Sequence, residues 1–106
     1  MKKDKYISKF VKQHLETIRS TYNPKGLWFF GSRITGKPSE ESDIDMVLVS
    51  DKFKGTKFIY RMSDFLKKFD FPKHIDALCY TLEEFEQKKN EIGIINEAIE
   101  KGERVI

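Results

Sequence analysis

Between Lys5 and Tyr22 the apolar side chains fall at Ile7, Phe10, Val11, Leu15 and Ile18, the recurrence that lays a single apolar stripe along an amphipathic α-helix. Asn23-Pro24-Lys25-Gly26 stops that helix. Leu27 to Phe30 then reads as a short buried strand, and a helix of one or two turns is expected after Gly31. A second strand runs from Asp43 to Val49. Its Ile44, Met46, Val47, Leu48 and Val49 make it apolar on both faces, so it needs helices covering either side. Helical spacing returns from Lys57 to Phe69, with Phe58, Ile59, Met62, Phe65, Leu66 and Phe69 on the predicted inner stripe, and Phe71-Pro72 ends it. His74 to Tyr80 is the third strand. Thr81-Leu82-Glu83-Glu84 after it has the form of a capping box. Helical spacing continues through Ile92, Ile95, Ala98 and Ile99 to Gly102, with Asn90 to Gly93 a candidate break and Glu103 to Ile106 a candidate edge strand.

Connection lengths set the strand directions. Too few residues separate the first two strands for a parallel crossover, so that pair should be antiparallel, whereas the helix between the second and third permits a parallel pair. This brings the end of the first strand and the starts of the second and third to one edge of the sheet. Gly31, Ser32, Asp43, Asp45 and Asp76 are thereby expected to converge. The fold class is α/β, a small mixed sheet of three to four strands packed with helices. With 106 residues, 39% of them hydrophobic, the chain suits one domain spanning 1–106 that builds a core without disulfide help.

The converging residues suggest chemistry. In a strand, residues two apart share a face with Cα atoms roughly 6.6 Å apart, so Asp43 and Asp45 project side by side. Their mutual repulsion is relieved by a cation, and hard divalent ions such as magnesium take oxygen ligands together with substrate phosphates. Gly31 permits a close backbone approach, and Ser32 offers an amide and a hydroxyl where phosphate oxygens can dock. Asp76 is an acid in an otherwise apolar strand, costly to bury unless neutralised. Metal is the first candidate for that role, and a strand-start carboxylate reaching solvent is the alternative. His74 shares the face of Asp76 two residues earlier and is expected at the rim of the site, with contact to the site the alternative, and His14, beside Leu15, is expected as a partly buried structural residue. Gly31-Ser32-Arg33-Ile34-Thr35-Gly36-Lys37 also imitates a P-loop, but Pro38 supplies neither the hydroxyl nor the amide which that motif needs next. The interval from Lys37 to Met46 is also too short for a parallel crossover.

Twenty Lys and Arg against seventeen Asp and Glu leave a net charge of +3. This is compatible with phosphate-bearing substrates and too weak to argue for nucleic acid as the direct substrate. The single cysteine, Cys79, lies in an apolar run and reads as a reduced core thiol of a cytoplasmic protein. No stretch approaches a membrane span, and Met1-Lys2-Lys3-Asp4-Lys5 lacks the apolar core of a signal peptide.

With Gly31-Ser32, ten intervening residues, Asp43-x-Asp45 and a later Asp76, nearly the whole chain resembles the minimal nucleotidyltransferases of the DNA polymerase beta-like superfamily. The resemblance implies that Asp43 and Asp45 hold two magnesium ions and that Asp76 completes the catalytic-metal site and helps activate an acceptor hydroxyl. It also implies that Gly31 and Ser32 bind the nucleoside triphosphate, with Arg33 and Ser42 flanking them and in reach of phosphates. Ile34-Thr35 replaces the Ala-Arg often found after Gly-Ser-Arg, which removes one positive phosphate contact. Many members are encoded with a HEPN-domain ribonuclease, and the resemblance implies an antitoxin that transfers AMP from ATP to a tyrosine of that partner within a hetero-oligomer. Transfer to a small molecule and a non-catalytic nucleotide-binding module are the alternatives. Nine Phe, four Tyr and one Trp exceed what three short strands readily cover, which favours a partner surface.

Overall fold

The computed structural model describes residues 4–36 and 42–106. Lys37 and Pro38 of the P-loop-like stretch and Met1 to Lys3 at the amino end lie outside the described residues.

Helix α1 spans Lys5–Tyr22. Asp4 caps it, its Oδ1 accepting from the Tyr6 and Ile7 amides at 2.9 and 3.1 Å. Asn23, at φ 43°, terminates it in the left-handed conformation that asparagine tolerates better than most residues. Strand β1 is Gly26–Phe30 and β2 is Ile44–Val49, joined through the short helix α2 at Ser32–Thr35. A 3-10 turn at Asp51–Phe53 leads to α3, Phe58–Leu66, and then to β3, Ile75–Tyr80. Helix α4 covers Leu82–Lys88, α5 covers Ile94–Lys101, and β4 is Glu103–Arg104. The order across the sheet is β3-β2-β1-β4. β1 pairs antiparallel with both β2 and β4, and β2 pairs parallel with β3, as connection lengths require.

Alternation along the strands builds two apolar layers. Leu27, Phe29, Ile44, Met46, Leu48, Ile75, Ala77 and Cys79 meet Ile7, Phe10, Ile18 and Tyr22 of α1 and Phe65 of α3. On the opposite face Trp28, Phe30, Val47 and Val49 meet Phe85 of α4 and Ile95 and Ala98 of α5. The central strands are thus covered on both sides, which is why β2 carries an unbroken apolar run. His14 sits among the rings of Phe10, Phe69 and Phe71, with centroids 5.1 to 6.2 Å away, the structural place expected for it. The Cys79 thiol is 1% exposed, and burial pushes its pKa up to about 12, so it stays a protonated core group.

Three expectations change. α3 ends at Leu66, with Lys67 and Lys68 in a turn, so Phe69 packs into the core from outside the helix. At its other end Phe58, Ile59 and Tyr60 are 43%, 74% and 55% exposed, and Arg61 is the residue turned inward. The Arg61 guanidinium donates to the Thr56 and Cys79 carbonyls and to both carboxylate oxygens of Glu84. These partners admit Arg61 because a guanidinium excluded from water must fill its donors, while Met62, Phe65 and Leu66 keep the rest of the predicted stripe against the core. Ile92, placed on the helical stripe by its spacing, lies fully exposed in the turn between α4 and α5.

Glu84 closes a capping box with Thr81 while holding Arg61. The hydrogen bond from Arg61 is the main cause holding its carboxyl below the ordinary value of 4.5. A depressed carboxyl contributes stability above its unfolded pKa and loses it as pH falls through the folded value. Thermal melts from pH 6 to pH 3 should therefore show the parent losing stability below about pH 4.5 more steeply than Glu84→Gln.

Candidate active site

The three strand ends meet at one sheet edge. Phe30 at the end of β1 pairs with Asp45, and Asp45 pairs with Asp76, so two carboxylates stand in register on neighbouring strands. The sheet alternation that turns Val47 and Val49 to the α5 side turns Asp45 the same way. Asp43 lies exposed just before β2, and Asp45 and Asp76 are half-buried. The Asp45 carboxyl is raised above its ordinary value of 3.8, first by burial and then by the charges of Asp76, Asp43 and Glu97, with His74 acting in the opposite sense. A cation between these groups removes the penalty that each adds to the others.

Gly31 lies against this carboxylate. Its φ of +83° is a glycine conformation, and a Cβ placed there would come within 2.3 Å of Asp45 Oδ2. The residue thus lets the backbone turn directly beside the acid. Its carbonyl accepts from the Ile34 and Thr35 amides at 3.0 Å, closing α2, which Ser32 opens with its side chain exposed.

Arg33, expected in reach of phosphates, lies buried against Asp4 and the Ser42 carbonyl. It is 7% exposed. Its Nη1 meets Asp4 Oδ2 at 3.0 Å, its Nε and Nη2 donate to the Ser42 carbonyl at 2.9 and 2.7 Å, and its guanidinium lies over the Tyr6 ring. Asp4 thus caps α1 with one oxygen and holds Arg33 with the other, and Arg33 fixes the backbone one residue before Asp43. Arg33→Met is expected to lose about 3 kcal/mol of stability, the usual cost of stranding a buried charge. Urea unfolding measures it; an unchanged midpoint with nucleotide affinity lost would return Arg33 to a phosphate contact.

His74, expected at the rim, also reaches the acids, and Glu97 is the group that a reading of the sequence by strands misses. His74 Nε2 lies 3.2 Å from Asp76 Oδ1, and ligand atoms of Asp43, His74 and Asp76 all fall within 4.8 Å of one another. Glu97, on α5, adds its charge to the field at Asp45. His-x-Asp at the start of β3 was the available signal for the first; Glu97 gives none, because nothing local connects α5 to β2.

A sequence model of the nucleotidyltransferase domain matches residues 11–101. The chain belongs to this family. It is 27% identical over 93 residues, 86% of its length and 79% of the other's, to the Haemophilus influenzae protein named probable protein adenylyltransferase MntA. A crystal structure of a Sulfolobus solfataricus protein assigned as a nucleotidyltransferase superimposes with a TM-score of 0.57 at 24% identity, over 74% of this chain and 70% of that one. That likeness shows the shared α/β fold. The nucleotidyltransferase domain is thus an enzyme of nucleotide substrates, with an acidic cluster at the sheet edge. Among the described residues no helix is long and apolar enough to cross a membrane.

Proposed function

We propose that residues 1–106 form a single-domain protein adenylyltransferase that transfers AMP from ATP to a tyrosine of a HEPN-domain ribonuclease, silencing it as the antitoxin of the pair. The observation that carries this reading is the in-register pairing of Asp45 with Asp76, with Gly31 pressed against Asp45, in a chain similar to a protein named as an adenylyltransferase.

The donor set fits divalent cations: three carboxylates at one edge, one of them disfavoured in its charged form first by burial and then by the charges of the others. Two ions, magnesium by the chemistry of the carboxylates, would be held by Asp43, Asp45 and Asp76. Bound there, they would lower the pKa of the acceptor hydroxyl and neutralise charge on the triphosphate. Asp76 orients the acceptor hydroxyl. As its oxygen bonds to the α-phosphorus of ATP, the bond to the β-phosphoryl oxygen breaks, pyrophosphate departs, and the hydroxyl proton passes to Asp76. The amide and hydroxyl of Ser32 receive phosphate oxygens, and Gly31 leaves room for them. Arg33, donating to the Ser42 carbonyl, fixes the backbone one residue before Asp43.

Exposed Phe58, Ile59 and Tyr60 support a macromolecular acceptor, since three consecutive large side chains left in water suit a protein interface. The test incubates the protein with labelled ATP, magnesium and the product of the adjacent gene. AMP on a partner tyrosine, read by mass spectrometry and lost in Asp76→Asn, is expected. A partner that neither co-elutes nor gains mass, beside a labelled hydroxylated metabolite, would transfer the assignment to a small-molecule enzyme. The cytoplasm is the compartment this reading requires.

A further inference from the structure

We propose that His74 is a metal ligand, so that the ion position it shares with Asp43 and Asp76 selects a first-row transition-metal dication, Mn2+ in particular, over Mg2+. The inference rests on the metal-dependent reading above and goes beyond it in assigning a nitrogen to the donor set.

The geometry supports a shared ion. Two donors on adjacent positions of an octahedral ion with bonds of about 2.1 Å stand about 3.0 Å apart, and on opposite positions about 4.2 Å. His74 Nε2 and Asp76 Oδ1 are separated by 3.2 Å, an adjacent pair. The remaining separations to Asp43 lie within 4.8 Å, and a small rotation of that exposed side chain brings it into range.

His74 is also held in place. Its carbonyl accepts from the Ile44 amide at 3.0 Å, so the backbone carrying the ring is tied to β2 between Asp43 and Asp45. It directly precedes β3, two residues before Asp76, where strand alternation puts both side chains on one face. The ring itself is 60% exposed, open to an arriving ion.

Chemistry then separates the candidate ions. Mg2+ takes oxygen donors and keeps its waters, whereas an imidazole nitrogen suits the later first-row ions, with Mn2+ accepting a mixed set of carboxylate and nitrogen. One histidine at one position is enough to bias the choice there. The other position, lined by carboxylates, keeps its magnesium chemistry.

His74→Gln separates ligation from simple positioning, because glutamine retains a hydrogen-bond donor toward Asp76 while losing the ring nitrogen. Calorimetric titrations of the parent, His74→Gln and Asp43→Asn with Mn2+ and with Mg2+ are read beside ring 15N spectra recorded with Zn2+. His14, packed among phenylalanines, serves as the internal reference. His74→Gln is expected to weaken Mn2+ about tenfold, the scale seen when the surroundings of a metal site are disturbed, and Mg2+ less than twofold. The His74 ring nitrogen should shift with Zn2+ while that of His14 stays. Unchanged Mn2+ affinity in His74→Gln, or an unshifted His74 ring, with Asp43→Asn still abolishing binding, overturns the inference and leaves the metal-dependent reading intact. No binding of either ion to the parent overturns both.

Discussion

Asp45→Asn should abolish nucleotidyl transfer and, in metal-free buffer, make the protein more stable. The two effects have one cause. The folded chain holds Asp45 partly out of water and near the charges of Asp76, Asp43 and Glu97, which raises its carboxyl. A carboxyl raised on folding binds its proton more tightly in the folded state, so at neutral pH its charge works against folding. Asparagine keeps the shape, removes the charge, and raises the melting temperature. The same substitution removes one of the three proposed carboxylate ligands, and transfer should fall by at least about a thousandfold, within the range for a positioned catalytic group. Magnesium should raise the melting temperature of the parent more than that of Asp45→Asn. Thermal melts with and without metal, beside a transfer assay, measure both effects. A variant less stable than its parent without metal would show that Asp45 is held by favourable contacts instead.

Gly31→Ala is the second large expectation. Alanine at φ +83° is strained, which costs on the order of 1 to 3 kcal/mol. Its Cβ would also stand within 2.3 Å of Asp45 Oδ2, so the carboxylate must move. Displacement of a catalytic group by about 1 Å from its productive position lowers rates about a hundredfold. Gly55 provides the control. At φ +89° it carries the same kind of backbone strain, but a Cβ there meets no atom within 4 Å. Gly55→Ala should lose comparable stability in urea unfolding and keep its transfer rate, whereas Gly31→Ala should lose both. Equal activity in the two variants would remove Gly31 from the site.

The exposed start of α3 is the complement of this edge. Phe58 packs on Tyr80 with ring centroids 5.2 Å apart, and Ile59 and Tyr60 extend the apolar surface beside it. Phe58, three residues before Arg61, shares its face and lies under the guanidinium, whereas Ile59 and Tyr60 are rotated away from the side that aims Arg61 at Glu84 and the Cys79 carbonyl.

What the chain alone determined is the sheet and the edge where its ends gather. Strand directions follow from connection length, a local property, and the two-sided apolar run of β2 demands helices on both faces. Gly31, Asp43, Asp45 and Asp76 were therefore legible before any coordinate, being fixed by where strands begin and end. The tertiary structure decided the partners of long polar side chains. Arg33 finds Asp4 twenty-nine residues away and Arg61 finds Glu84 across twenty-three. In sequence neither partner is legible, because local periodicity records only how often a side chain is apolar. Which face of α3 is buried, and how near the His74 ring stands to Asp43, depend likewise on the packing of elements distant in sequence. Arginine goes inside where its donors are met, and the residues that meet them are brought together only by the fold.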